Sequence, residues 1–384
     1  MPKKQRNVFQ RGSTWYIRYE LPPSSDGTRK QKMQSCPGLD EDQAKQRLRD
    51  IETAIYRNSY VQPSNITVSD YMQQWLDRKE SDLSPTTHQK YVYNKKLYID
   101  GKVGRHKLGK LRPVDLQKWI DELCKTLSPK TVRNAHGMLH ACLDSAVRMQ
   151  IIHANPSDMV DLPRYRRPEM RTATNEGMAQ LINAVEGTKY DIPVWLILGT
   201  GMRRSEALGL KWIDFRLEKR IVDGVEVECG SLIVQRNLVQ VKGQLLVKGT
   251  KTERPRIIEL PQTLVDILME HREVQRRTHG KLNDWICTDN SGLVVTPESI
   301  GKAYTKIKQT YNLTFTLHGL RHTQATELGM AYIPISLISK RLGHSNISTT
   351  QNIYTHVTPN SMDGAVQVVD NMLRRAKKKA GETE

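Results

Sequence analysis

The residues of this chain best suited to chemistry stand in its last third. His318 and Arg321 lie three apart, His344 follows a glycine, and Tyr354 comes ten residues after it. Residues three apart share a helical face, so His318 and Arg321 are expected side by side. A guanidinium grips two phosphate oxygens at once, an imidazole moves protons near neutral pH, and a tyrosine hydroxyl can become a covalent nucleophile. Together they suit chemistry on a phosphodiester. Any one of them has an ordinary explanation on a protein surface; the ordered set is what points to a reaction.

Two earlier stretches extend the set. Gly199-Thr-Gly-Met-Arg203-Arg-Ser-Glu206 ends an apolar helix (Ile192–Leu198 is its core run), turns on Gly201 and opens another helix. Arg203 then stands near a helix N-terminus, where N–H groups and the dipole favour an anion, and Glu206 three residues on is placed to brace it. Gly249-Thr-Lys251-Thr-Glu-Arg-Pro-Arg256 reads as a turn feeding a strand, with Lys251 at the tip and Lys248 close by. The order becomes Arg203, Lys251, His318-x-x-Arg321, His344, Tyr354.

These groups must be held by something, and 384 residues suffice for two or three domains. Lys and Arg number 59 against 41 acidic residues, a formal net charge of +18, which suits a polyanionic partner and above all nucleic acid. The excess is spread along the chain: +5 in residues 1–66, +7 in 67–168 and +6 in 169–384. All three segments are therefore expected to reach phosphates, as a clamp would. Five scattered cysteines form no C-x-x-C pair, which argues against a zinc site or a disulfide framework and fits a reducing cytoplasm. The charged start, Met-Pro-Lys-Lys-Gln-Arg, precedes no apolar run, and no stretch reaches the roughly 18 apolar residues of a membrane span. A signal peptide and a membrane partner are not expected.

Residues 1–60 read as a small β-unit followed by a helix. Thr14–Glu20 is a strand, Pro22–Gly27 a turn, and Thr28–Met33 a second, basic strand; the helix begins near Asp42 with Asp40 as N-cap. Arg11, Arg18, Arg29, Lys30 and Lys32 would let a strand face lie in a major groove. Residues 66–155 read as helical, about four helices, two of them opened by Ser-Pro at Ser84 and Ser128. Residues 90–112 hold eight Lys/Arg and only Asp100, so Lys95, Lys96, Arg105 and Lys107 are candidate phosphate contacts. A basic, proline-bracketed linker is expected over 156–173. A mixed α/β unit then runs over 174–384, with Thr174 as N-cap, strands at Ser231–Arg236, Gln244–Val247 and Arg256–Leu260, and a basic C-terminal tail.

The chain resembles the tyrosine recombinase (phage integrase) family. Thr200-Gly-Met-Arg203 with Ser-Glu-x-Leu-x-Leu-x-Trp is similar to its first arginine motif, and Leu317-His318-Gly-Leu-Arg321-His-Thr-x-Ala-Thr to its His-x-x-Arg box. Leu342-Gly-His344 with Tyr354-Thr-His is similar to its nucleophile box. Thr250 before Lys251 and Gly319 inside the box depart from the pattern; Lys248 stays an alternative to Lys251, and Gly319 is expected to alter packing only.

The resemblance implies a multidomain, mainly α protein with small β parts. An N-terminal three-stranded sheet plus helix would bind arm-type DNA, a helical SAM-like domain the core site, and a mixed α/β domain would catalyse. It implies integration and excision of a prophage or other mobile element through a 3′-phosphotyrosyl intermediate, with no metal or other cofactor. The implied partners are double-stranded attachment sites, a homotetramer on that DNA, an excisionase and a DNA-bending host protein, in the nucleoid-bearing cytoplasm of a bacterial host.

Three other readings compete. A zinc hydrolase would use His318 and His322, four apart, but no Glu stands where a H-E-x-x-H motif needs it, and an arginine between the ligands would repel the metal. A non-catalytic DNA-binding regulator is disfavoured because all six catalytic positions hold usable side chains. A type IB topoisomerase shares the chemistry, but topoisomerases carry Lys at the box's His, and the basic N-terminal module favours an integrase.

Overall fold

The computed structural model describes residues 7–21, 30–57, 60–61, 65–166, 171–222, 225–249 and 255–343. Two compact units divide at residues 166 and 167. The first opens with three antiparallel strands in sequence order, β1 (Val8–Arg11), β2 (Thr14–Glu20) and β3 (Gln31–Cys36), followed by α1 (Glu41–Tyr56). Successive strand residues point to opposite faces. Ile17 and Tyr19 are buried with α1 residues Ala44, Leu48 and Ile51 in one small core. Asp40 caps α1 in a full capping box with Gln43.

The alternation sorts the basic residues expected on this sheet. Arg11 and Arg18 sit over a stacked Phe9–Tyr16 pair, on the face away from Ile17. Lys32 pairs in register with Tyr19 and shares the helix-facing side. A strand-face reading therefore keeps Arg11 and Arg18 and loses Lys32. Lys30 is exposed just before β3, and Arg29 lies outside the described residues.

Four helices follow: α2 (Val68–Arg78), α3 (Pro85–Asn94), α4 (Pro113–Cys124) and α5 (Pro129–Arg148). Thr67, Ser84 and Ser128 cap α2, α3 and α5 through their hydroxyls, and Pro occupies the first position of α3 and α5, where a missing N–H costs nothing. On α4 the buried residues are Leu116, Trp119, Ile120 and Leu123, one stripe at helical spacing. Each such side chain contributes about 1.5–3 kcal/mol by leaving water. They meet Tyr71, Trp75 and Leu76 of α2 and the apolar face of α5 in a single core.

Two expectations for this unit need correction. Lys95 is not a surface cation: it is buried, and its ammonium bonds both Asp100 oxygens (2.9 and 3.2 Å) and Ser69 Oγ (3.2 Å). A π-helical turn, Lys95–Ile99, brings Asp100 back against it. Lys96 and Arg105 are exposed, and Lys107 is exposed with its Nζ on Asn65. The linker is also shorter than expected. Residues 156–163 stay docked on the helices, through His140 to Asp158, Gln117 to Asp161, and Arg133 to the Pro163 carbonyl.

The second unit carries α6 (Asn175–Val185), α7 (Asp191–Thr200), the short α8 (Arg204–Ala207), α9 (Gln262–His279), α10 (Pro297–Thr310), α11 (Leu317–Met330) and α12 (Ile335–Leu342). A three-stranded antiparallel sheet has the order β4 (Phe215–Val222), β5 (Val225–Val234), β8 (Arg256–Glu259), and β6 (Arg236–Val241) pairs with β7 (Gln244–Gly249) as a hairpin. Thr174 caps α6. The core is built on α7, buried along Val194, Leu196 and Ile197, and on inward residues of the sheet such as Leu232, Val234 and Ile258. Among the described residues no helix is long and apolar enough to cross a membrane.

Candidate active site

The end of α7 sets the geometry. Gly201 takes a left-handed conformation (φ 66°), and a Cβ there would run into Gln324 Oε1 and Leu342 Cδ2. Only glycine satisfies both demands. The turn delivers Arg203 to the N-cap of α8, as its spacing predicts. Glu206 accepts from the Arg203 backbone N–H (2.8 Å) and from its guanidinium (2.7 Å).

Arg321 enters from α11, whose first turn is capped by Thr316. It is 1% exposed, and its Nη1 donates to the Gly201 carbonyl at 2.9 Å. One helical turn on, Gln324 donates to Leu198. Helices α7 and α11 are thus stitched by two side chains reaching the carbonyl end of α7, which cannot bond within the helix. Arg321 Nε and Nη2 have no hydrogen-bond partner among the described residues. Burial, then the neighbouring charge of Arg203 and that of Arg256, pushes Arg321 down to about 9, with Glu206 opposing. It remains a cation at neutral pH.

His318, three residues earlier, is exposed, and its ring meets His322 edge-to-face at 4.8 Å between centroids. With Arg203, Arg204, Ser205, Thr305 and Lys308 it lines an open cleft of about 680 Å³. A cleft with this much positive charge suits a phosphate backbone. Tyr304 also borders it, but its hydroxyl donates to the Phe315 carbonyl, and burial raises its pKa above the usual tyrosine range. Tyr304 is therefore poorly placed for a nucleophile. Gly319, the departure in the His-x-x-Arg box, lies where a Cβ would press on Phe315 at 3.3 Å and sit 3.5 Å from the Arg171 carbonyl. The glycine serves packing.

Of the six residues expected to react, Arg203, Arg321 and His318 are brought to one place; Lys251, His344 and Tyr354 lie outside the described residues, and Lys248 is the penultimate residue of β7. A residue outside the sequence motifs joins them. Arg256, at the start of β8, makes a two-pronged pair with Glu206 (3.1 and 2.7 Å). Glu206 is 1% exposed, and burial opposes its charge. Arg256, then the Arg203 N–H and guanidinium, more than offset that, and its pKa falls below the usual carboxylate range. The signal in sequence was an arginine two before Ile258, hence on the inward face of a strand.

Two family models match this chain: the phage integrase family over residues 171–361, and the SAM-like N-terminal domain of phage integrases over residues 67–124. The chain belongs to the phage integrase family. It is a tyrosine-type site-specific recombinase. Similar proteins include the tyrosine recombinase XerC-like protein of Caldanaerobacter subterraneus subsp. tengcongensis, 27% identical over 96% of this chain and 99% of that one. The ICEBs1 integrase of Bacillus subtilis is 26% identical over 78% and 81% of the two chains. Among solved structures, the Tn1549 transposon integrase in complex with a circular intermediate DNA has the same fold, with a TM-score of 0.67 and 21% identity over 79% of this chain and 99% of that one. A lambda integrase dimer bound to a core site gives a TM-score of 0.57 at 14% identity, over 92% and 96%.

Proposed function

We propose that this recombinase cuts and rejoins DNA through Tyr354. Its Oη attacks the scissile phosphorus, forming a 3′-phosphotyrosyl bond and breaking the bond to the 5′ oxygen. His318 receives the tyrosine proton, Lys251 gives a proton to the departing oxygen, and His344 donates a hydrogen bond to the phosphate. Arg203 and Arg321 clamp the non-bridging oxygens and offset the charge that builds in the pentavalent transition state. Attack by a partner strand's 5′-hydroxyl on the phosphotyrosine reverses the step and rejoins the strands. The phosphotyrosine conserves the bond energy, so the cycle runs without ATP or a metal.

The observation that carries this reading is Arg321. A buried guanidinium with two nitrogens lacking partners among the described residues is costly in a resting protein, and a bound phosphate would satisfy both at once. The same reading assigns residues 1–60 to arm-type sites, with Arg11 and Arg18 facing the groove. Residues 66–163 and 174–384 grip the core site, and residues 164–173 connect them. Four copies assemble on DNA to integrate and excise a mobile element, assisted by an excisionase and a DNA-bending host protein in the bacterial nucleoid. Support comes from relatives named for mobile elements, among them the ICEBs1 integrase and the integrase of a Mycobacterium phage.

The test uses a duplex nicked beside the cleavage site, so that the cut fragment diffuses away and the covalent complex accumulates. Tyr354→Phe should bind this DNA with unchanged affinity and form no covalent complex, with or without EDTA. An adduct formed by that variant, or one mapped by mass spectrometry to Tyr332, would overturn the assignment.

A further inference from the structure

Arg256 holds a position that the reaction above does not use, yet the site is arranged around it. Its guanidinium is pinned on three sides: both Glu206 oxygens accept from it, and its Nε donates to the Arg341 carbonyl at 3.1 Å. Arg341 is itself fastened, donating to the carbonyls of Glu259 (3.0 Å) and Gly199 (3.1 Å). The chain then closes over Arg256 at Gly343, which ends α12 in a left-handed conformation (φ 69°). A Cβ on Gly343 would stand 2.8–3.0 Å from three atoms of the Arg256 guanidinium, so the absence of a side chain lets the turn lie directly on it. The Gly343 carbonyl in turn accepts from Arg203 Nη2 at 3.2 Å.

Arg203 is thus oriented by two acceptors, the Glu206 carboxylate and the Gly343 carbonyl, and Arg256 is bonded to the first and packed under the second. A planar guanidinium held in this way offers its remaining N–H groups in one fixed direction. We infer that Arg256 is a positioning residue for cleavage: by fixing Glu206 and seating the Gly343 turn, it aims the Arg203 guanidinium at the scissile phosphate. A lysine would keep the charge and lose the two-pronged grip. The inference rests on the proposed role of Arg203.

The test is single-turnover formation of the covalent complex on the nicked duplex, at saturating full-length protein, beside a separate measurement of DNA affinity. Arg256→Met should slow cleavage at least tenfold while affinity changes by less than about threefold, and Arg256→Lys should recover little of the loss. Arg203→Lys combined with Arg256→Met should be no slower than Arg203→Lys alone, since both changes remove the same aim. Multiplying effects would overturn the inference, because Arg256 would then act independently of Arg203.

Arg256→Met also strands a buried carboxylate, so Glu206→Gln is added to it in a second variant that removes the charge. The thermal midpoint should return towards that of the unaltered protein while cleavage stays slow. If cleavage returned with stability, Arg256 would be structural only. Unaltered protein that forms no covalent complex would refute the reaction itself, and the inference with it; slow variants beside an active parent separate the two failures.

Discussion

Among the described residues each unit buries one lysine or arginine side chain, and the two are treated differently. Lys95, among the helices, is matched donor for acceptor by both Asp100 oxygens and the Ser69 hydroxyl, and that hydroxyl also donates to Asp100 at 2.6 Å. Arg321, in the catalytic unit, is buried more deeply and yet two of its nitrogens lack partners among the described residues. A buried charge with every hydrogen bond made belongs to the fold; one left partly unmade is poised for a ligand. Composition does not draw this distinction, since Lys95 lies in the basic run expected to touch DNA. Burial alone does not separate a structural cation from a reactive one. Completeness of hydrogen bonding does.

Substituting each by methionine should break the comparison apart with the largest effects. Arg321→Met should slow covalent-complex formation by roughly a hundredfold or more, the scale of losing a preorganised transition-state donor. The same change should stabilise the DNA-free protein by about 1 kcal/mol, because it removes an under-bonded buried charge at the loss of one bond to Gly201. Lys95→Met should do the reverse. It strands Asp100, and with that carboxylate partly exposed the loss should be about 1–3 kcal/mol, with cleavage within about threefold of normal. Urea unfolding and the nicked-duplex assay check both. If Arg321→Met destabilised the fold as Lys95→Met does, Arg321 would be a structural residue.

Acidity gives a second, smaller contrast. The folded-state pKa of Arg321 is lowered to about 9 by burial first and then by neighbouring guanidiniums. Below that pH the folded protein carries the full handicap of an unfavourably buried charge. Between about 9 and the ordinary arginine value the unfolded chain binds more protons, so this group's contribution to stability rises with pH. The stability gap between Arg321→Met and the unaltered protein should therefore be widest near pH 7 and shrink, by about 1 kcal/mol or less, when both are unfolded at pH 10. A gap that does not change with pH would mean that Arg321 bears no such handicap.

What could be read from sequence followed the range of the interaction. Caps at Asp40, Ser84, Ser128 and Thr174 depend on three or four neighbouring residues, and all four form. The same holds for the α4 stripe and for Glu206 bracing Arg203 three residues away. The family's motifs carried Arg321 and His318. Illegible were contacts made across the fold. Arg256 meets Glu206 fifty residues away in sequence, and no local spacing announces that. Lys95 was misjudged because a π-helical turn, not an α-helical one, returns Asp100 to it. Strand β4 went unseen because Arg216, Glu218, Lys219 and Arg220 hide its alternation. β6 was missed where its apolar residues, Leu238, Val239 and Val241, do not keep period two.

The smallest expected effect compares Lys95 with its own neighbour. Lys96 is exposed and Lys95 buried, although both stand in the same basic run. A lysine that neutralises a phosphate displaces condensed counterions, and removing it lowers the slope of log affinity against log salt by about 1. Lys96→Ala should show that reduction on core-site DNA, together with a severalfold weaker affinity near physiological salt. Lys95→Met, with its charge already held by Asp100, should leave the slope unchanged within error. The measurement is fluorescence anisotropy of a labelled core-site duplex from about 50 to 200 mM salt. Equal slopes for Lys96→Ala and the unaltered protein would remove Lys96 from the interface. A reduced slope for Lys95→Met would show that DNA draws the buried lysine away from Asp100, and the division between spent and poised cations would then hold only for the protein without its DNA.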